Sequence, residues 1–119
     1  MTYEDFQKDI SDIILTEGGH CPVTSLIVML QGKWKLQIIY ALLIRQPLRF
    51  GELRRCKMLS GITNAMLASA LHDLESAGFI KREQFNEIPP HVEYSLTAQG
   101  RELMPVFYAM AEWGLKHVP

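Results

Sequence analysis

Apolar side chains recur at three- and four-residue intervals through the first half of the chain, which is the spacing of amphipathic helices. The first stretch with this spacing ends at Gly18 and Gly19. The second begins at Pro22, where proline suits the first turn of a helix, and ends at Gly32. The third, residues 33–44, is apolar on most of its faces. Such a helix belongs in the middle of a hydrophobic core.

Two more helices, separated by a turn, are predicted after Pro47. The first spans about 50–57, with its apolar side chains inward and its basic ones outward. The turn covers 58–62, and Thr63 is placed to cap a second helix. We expect this helix to end before Gly78, because glycine readily adopts the left-handed conformation at a helix end. Its predicted buried stripe consists of Leu67, Leu71 and Leu74.

The apolar period then changes from 3.6 to 2, which is typical of strands. Residues 79–85 and 91–96 are predicted strands, and 86–90, with two consecutive prolines, is the turn between them. Thr97 is placed to cap a long C-terminal helix. Pro105 is expected either to kink that helix or to limit its start.

This order of elements predicts a mainly α fold with a small β-hairpin. A helix-turn-helix followed by a hairpin is a winged helix, whose second helix enters the DNA major groove. The length of 119 residues suits a single domain. We divide 1–119 into an N-terminal arm (1–20), a winged-helix core (21–96) and a C-terminal dimerisation helix (97–119).

The formal net charge of −1 conceals a segregation of charge along the chain. Residues 33–82 carry nine lysines and arginines against three acids. Residues 1–20 and 83–119 are both acidic, with net charges of −4 and −3. A protein that is neutral overall can therefore present one basic face to a polyanion.

Six stretches occur in an order and spacing that is specific when they are taken together. They are GKWKL at 32–36, PLRFGELRR at 47–55, GITNAML at 61–67, LESAGFI at 74–80, PPHVEYSLT at 89–97 and AEWG at 111–114. Over about 21–114 the chain resembles the HxlR-type family of bacterial transcription regulators. The resemblance implies a winged helix-turn-helix, a homodimer and operator binding in the cytoplasm. Several members resemble redox or electrophile sensors that use a cysteine at the position of Cys21.

The basic residues near the helix-turn-helix are candidates for phosphate contacts, since neutralising phosphates supplies much of the affinity for DNA. They are Arg49, Arg54, Arg55 and Lys57 on the first helix, and Lys81 and Arg82 on the strand that leads to the wing. The alternative, for each of these residues taken singly, is that it belongs to an ordinary solvated surface and contacts no phosphate.

Base contacts are expected from the outward face of the second helix, where Asn can pair with adenine and an alanine methyl can pack on thymine. The candidates are Thr63, Asn64, Ala65, Ala68, Ser69 and His72. Family members often carry Lys or Arg on this face, where this chain has Ala65, Ala70 and His72. We therefore expect a site biased toward A·T contacts or DNA shape. His91 is a candidate DNA contact in the wing. The alternative is that His91 is only a residue of the turn.

Two cysteines in a chain of this size indicate a reduced protein. Cys21 precedes a predicted helix, whose dipole favours a thiolate, so it is a candidate sensor of oxidants or electrophiles. Packing at a dimer interface is the alternative for Cys21, and Cys56 is predicted to belong to the core. The histidines are scattered singly, which argues against a metal site. No cofactor and no enzymatic activity are expected, because the chain lacks phosphate-binding loops and nucleophile motifs.

The apolar stripes of the terminal helices predict a homodimer, because a domain of this size has little core left to cover them. The candidate interface residues are Phe6, Ile10, Phe107, Met110 and Trp113. Packing of both helices on their own domain is the alternative. The expected partners are a palindromic double-stranded operator, a second copy and an oxidant or small-molecule effector, with no membrane. Two other interpretations stay open: a winged-helix module that binds protein, and a small-molecule-responsive regulator without thiol sensing.

Overall fold

A computed structural model of the protein describes residues 1–8 and 21–119. Residues 1–31 and 32–119 form two separate compact units. The first unit contains α1 (Tyr3–Lys8) and α2 (Pro22–Leu30). The start of α2 at a proline agrees with the prediction. The division of the chain at residues 20 and 96 stays a prediction.

The second unit contains a winged helix-turn-helix, which confirms the predicted fold class. Its elements are α3 (Lys35–Ile44), β1 (Leu48–Arg49), α4 (Phe50–Arg54), a 3-10 turn (Lys57–Leu59), α5 (Asn64–Ser76), β2 (Ile80–Phe85), β3 (His91–Leu96), α6 (Ala98–Arg101) and α7 (Met104–His117).

Helix α3 supplies the centre of the core, as its apolar faces predicted. Ile38, Ile39 and Leu42 are completely buried, and α3 packs against the 3-10 turn, α5 and β3. The predicted stripe of α5 is buried as well, with Leu67 and Leu74 fully inaccessible to solvent. The salt bridge between Lys35 Nζ and Asp73 Oδ2, 3.4 Å long, also joins α3 to α5.

Local side-chain chemistry sets both ends of α5. The Thr63 hydroxyl accepts a hydrogen bond from the Met66 N–H at 3.0 Å, which confirms the predicted cap. Gly78 has a φ of +86°, so a residue without a side chain suits this stop. Helix α4 is shorter than the predicted 50–57. It ends at Arg54, and a 3-10 turn follows at Lys57–Leu59.

The sheet has three strands in the order β1-β3-β2, so the expectation of a two-stranded hairpin was incomplete. Strand β1 pairs antiparallel with β3, with Leu48 opposite Tyr94. The Gln46 side-chain oxygen accepts a hydrogen bond from the Leu96 N–H at 2.7 Å and ties the approach to β1 to the same strand. Two residues are too few to show a strand period, which explains why β1 gave no signal.

The C-terminal segment forms two helices, and the prediction of one long helix was wrong. Thr97 caps the short α6, accepting a hydrogen bond from the Gly100 N–H at 3.0 Å. Helix α7 then begins at Met104 with Pro105 in its first turn, so the proline limits the start of a helix as the sequence allowed. Leu103, between the two helices, is buried.

Among the described residues, no single helix is long and apolar enough to cross a membrane. Only α2 and α3 taken together, across the break between them, reach the required length and composition.

Candidate nucleic-acid interface

The turn between α4 and α5 is held by a hydrogen bond at the start of α4 and by buried residues within the turn itself. The Glu52 carboxylate accepts a hydrogen bond from the Arg49 N–H at 2.9 Å and so satisfies a donor at the start of the helix. Leu59 and Ile62 are buried, and they anchor the turn to the core. Helix α5 therefore leaves the turn in a fixed orientation.

The sequence placed six base-reading candidates on one face of α5, and the structure exposes every one of them. They are Thr63, Asn64, Ala65, Ala68, Ser69 and His72. The buried face carries Ala70, which is only 7% exposed. The expectation that Ala70 belongs to the outward face was therefore wrong, since it follows Leu67 by three residues and lies on the same side of the helix. Ala65 and His72 stay on the exposed face, without a lysine or arginine between them.

A hydrogen bond that the sequence reasoning missed connects the two helices of the motif. Arg54 Nη1 donates to Asn64 Oδ1 over 2.7 Å. This contact fixes the Asn64 amide so that its oxygen faces α4, which leaves the amide N–H groups free to donate outward. An amide oxygen has two lone pairs, so Asn64 can still accept a second hydrogen bond from a base. Arg54 thereby positions the residue that is best suited to adenine.

The six candidate phosphate contacts (Arg49, Arg54, Arg55, Lys57, Lys81 and Arg82) are exposed. Within residues 1–8 and 21–119, none of them forms an ion pair with a carboxylate. The two other basic residues of this region that do so are Lys35, with Asp73, and Arg45, with Glu52. Exposed cations that form no ion pair remain available to attract phosphate groups.

The tip of the wing, residues 86–90, carries one acid, Glu87, and no lysine or arginine. Ile88 is fully exposed there, just before the two prolines. His91 lies at the base of the wing, where it stacks on Phe85 with ring centroids 4.8 Å apart. Its Nε2 lies 3.0 Å from a carboxylate oxygen of Glu93. The structure thus places His91 where it braces the two strands of the wing.

Cys21 caps α2. Its Sγ accepts a hydrogen bond from the Thr24 N–H at 3.4 Å. Hydrogen bonds from the side chain and backbone of Thr24, with a smaller one from the Val23 backbone, hold the pKa of the Cys21 thiol below its ordinary value. These contacts favour the thiolate, which is the reactive form of cysteine.

Cys56 is half-buried, so the prediction that it belongs to the core holds only in part. Its thiol donates to the Glu52 carbonyl oxygen over 3.4 Å. No group of three or more residues suited to hold a metal ion occurs in the part of the chain that the structure describes.

The structure describes four of the five apolar residues that the sequence assigned to a dimer interface, and two of the four are exposed. On α7, Met110 is 48% exposed and Trp113 is 62% exposed. Phe107 is half-buried and meets the Tyr40 ring edge-on, with centroids 5.5 Å apart. Phe6 on α1 is half-buried, and Ile10 lies outside the described residues.

Comparisons with known proteins agree with this geometry. The family model described as "HxlR-like helix-turn-helix" matches residues 29–119. The chain is 42% identical to an uncharacterized HTH-type transcriptional regulator of Halalkalibacterium halodurans, over 98% of this chain and 97% of that protein. It is 43% identical to the HTH-type regulator YdeP of Bacillus subtilis, over 82% of this chain and 73% of that protein.

Two solved structures are similar in both fold and sequence. The redox regulator HypR in its oxidized form superposes with a TM-score of 0.73 at 40% identity, covering 83% of this chain and 99% of that chain. The reduced form of the transcriptional regulator YodB from Bacillus subtilis gives a TM-score of 0.72 at 32% identity, covering 82% of this chain and 94% of that chain.

Proposed function

Since the chain belongs to the HxlR-like family of helix-turn-helix transcriptional regulators, we propose that it binds a palindromic operator as a homodimer. Helix α5 enters the major groove, and the surrounding lysines and arginines hold the phosphates. The observations that carry this proposal are the capped, exposed face of α5 and the six exposed cations of the winged helix that form no ion pair in the described part of the chain. The curated relatives are HTH-type transcriptional regulators, and we infer that this chain is likewise a regulator and not an enzyme.

The chemistry of the α5 face favours A·T base pairs. Asn64 can donate to and accept from adenine, and the methyl groups of Ala65 and Ala68 can pack on thymine methyls. The face carries no arginine or lysine that could bind guanine in the bidentate manner. Because it acts on chromosomal DNA, we place the protein in the cytoplasm.

Replacing Asn64 by alanine tests the base-reading role. We expect Asn64→Ala to weaken binding to a duplex from the DNA that flanks its own gene by roughly tenfold, because one bidentate base contact is lost. Binding to a scrambled duplex of the same length stays nearly unchanged, since phosphates carry that affinity. Fluorescence anisotropy with both duplexes, over a series of salt concentrations, measures the two affinities.

Arg82→Gln is the matched control for this experiment, since Arg82 is exposed and lies outside α5. Arg82→Gln should weaken binding to both duplexes by the same factor. It should also reduce the slope of log affinity against log salt concentration by about 1. Equal losses on both duplexes for Asn64→Ala would contradict the base-reading role. If no duplex shows salt-sensitive affinity, the interpretation as a protein-binding module replaces operator binding.

We also propose that the regulator responds to oxidants or electrophiles through Cys21. The observation that favours this response is the position of the thiol at the start of α2, where Thr24 lowers its pKa. HypR is itself a redox regulator, and its fold and sequence are similar to those of this chain. Oxidation of Cys21 would end in a disulfide with a second subunit or with a small thiol.

The pH dependence of alkylation tests this role of Cys21. Because its pKa lies below that of an ordinary thiol, the thiolate persists to lower pH, and iodoacetamide should modify Cys21 at a pH where a free cysteine is still protonated. Mass spectrometry of the peptides that contain Cys21 and Cys56 gives both rates in one sample.

The Cys21→Ser variant, which keeps only Cys56, is the control for release from DNA. We expect diamide to release the wild-type protein from its operator and to leave this variant bound. Equal release of both proteins would contradict sensing by Cys21.

A further inference from the structure

A pocket of about 430 Å³ is lined by residues from the end of α3, β1, α4 and the 3-10 turn that follows α4. Its walls combine apolar and charged side chains. The apolar ones include Ile44, Leu48 and Met58, and the charged ones are Arg45, Glu52 and Arg55. The volume falls within the range of sites that hold small organic molecules, roughly 300–1,000 Å³.

The charges of the pocket favour an anion. The Glu52 carboxylate is already engaged, since one oxygen accepts the Arg49 N–H at 2.9 Å and the other lies 3.7 Å from Arg45 Nη2. Arg55 is exposed and pairs with no carboxylate in the described part of the chain. A guanidinium group binds a carboxylate through two parallel hydrogen bonds.

The apolar walls favour a ligand with a hydrophobic body. Ile44 is 65% exposed at the rim, and Leu48 is buried behind it. Leu48 has almost no surface left to cover, but burial of the exposed Ile44 side chain against a ring or an alkyl chain would be favourable, whereas a hydrated inorganic ion would leave that side chain uncovered. Together with the free guanidinium, the pocket therefore suits an amphipathic anion.

We propose that this pocket binds a small organic carboxylate with an apolar body, whose carboxylate pairs with Arg55. The consequence for regulation rests on the proposed function, in which Arg55 also contacts a DNA phosphate. One guanidinium then serves either the ligand or the phosphate backbone. Ligand and DNA binding weaken each other by the same factor, because coupling between two binding equilibria is reciprocal.

Binding of 2-naphthoate to the full-length protein without DNA tests the pocket itself. Isothermal titration should show saturable binding of 2-naphthoate, and weak or no binding of 2-naphthylmethanol, which has a similar shape and no charge. Arg55→Gln should reduce the affinity for 2-naphthoate by roughly tenfold, the effect of losing one charge-assisted pair. Ile44→Glu, at an exposed position, should reduce it as well by placing a negative charge at the rim.

Lys116→Gln is the matched control, because it removes one positive charge from α7, far along the chain from the pocket residues. We expect it to bind 2-naphthoate like the wild type. The pocket proposal is wrong if 2-naphthoate fails to bind, if it binds Arg55→Gln equally well, or if the neutral alcohol binds as tightly. Tighter binding of inorganic phosphate than of 2-naphthoate would also overturn it, since the site would then be a contact for the DNA backbone alone.

Competition with DNA tests the regulatory part separately. Addition of 2-naphthoate should weaken binding of the wild type to duplex DNA, and the alcohol should leave that binding unchanged. The effect should disappear in Arg55→Gln. If 2-naphthoate binds and DNA affinity stays constant, the shared use of Arg55 is wrong. If the protein binds no DNA at all, the proposed function fails while the titration still decides the pocket.

Discussion

Replacing Gly100 by alanine is expected to destabilise the second unit more than any other small substitution. Gly100 is buried in α6, where a Cβ atom would collide with the carbonyl oxygen of Phe79 and lie 3.2 Å from a methyl group of Leu96. The Phe79 carbonyl cannot retreat easily, because it also accepts a backbone hydrogen bond from the Thr97 N–H at 3.0 Å. The obstacle is therefore backbone and not a flexible side chain.

We expect Gly100→Ala to lower the free energy of unfolding by about 3 kcal/mol or more, at the upper end of the effects of overpacking. That loss corresponds to a decrease of roughly 10 °C or more in Tm for a domain of this size. Thermal unfolding followed by circular dichroism measures it.

Gly51→Ala is the matched control for this substitution. Gly51 also lies in a helix, but its added Cβ would meet only the end of the Arg55 side chain, at 3.3 Å. This flexible side chain can move, so we expect a change in Tm close to zero or slightly positive. Equal stability of Gly100→Ala and the wild type would contradict the close packing of α6 against Phe79.

Disruption of the proposed dimer is expected to have the largest effect on DNA binding. Trp113, Met110 and Val106 follow one another along α7 at three- and four-residue intervals, and each is at least 40% exposed. An aspartate at position 113 would bury a charge in the interface, which is costly. We therefore expect Trp113→Asp to be monomeric in analytical ultracentrifugation.

A monomer holds only one half-site, so the linked binding of the second recognition helix is lost. Operator affinity should then fall by roughly 10²-fold or more. Leu115→Asp is the matched control, since it adds the same charge on the same helix at a position that is 88% exposed and lies on the side of the helix opposite to Trp113. It should remain dimeric and bind the operator normally. A dimeric Trp113→Asp protein would mean that α7 does not form the interface.

The parts of the fold that depend on local chemistry could be predicted from the sequence. Thr63 and Gly78 bound α5 because a hydroxyl cap and a left-handed glycine act within a few residues of the helix end. The buried stripe of α5 followed from its 3.6-residue period. The exposure of the base-reading candidates then followed from the same period.

Features that join distant segments gave no such signal. Strand β1 is stabilised by β3, whose paired residue Tyr94 lies 46 positions after Leu48, and two residues cannot show a period. The hydrogen bond from Arg54 to Asn64 depends on the angle between two helices, which the turn sets. Pro105 indicated that a helix could begin near residue 104. It did not show that a separate short helix precedes the buried Leu103.

The Thr97 hydroxyl links two segments of the chain through two hydrogen bonds. It donates to the Gly78 carbonyl at the end of α5, over 2.6 Å, and accepts the Gly100 N–H at the start of α6. The residue that follows the C-cap of α5 and the segment that leads into α7 therefore meet at one side chain. In the proposed dimer, a twist of one α7 against its partner would be transmitted to α5 of each subunit through the contacts of Thr97. A half-site spacing that requires such a twist would strain the Thr97 hydroxyl contact together with the backbone hydrogen bond from the Thr97 N–H to the Phe79 carbonyl.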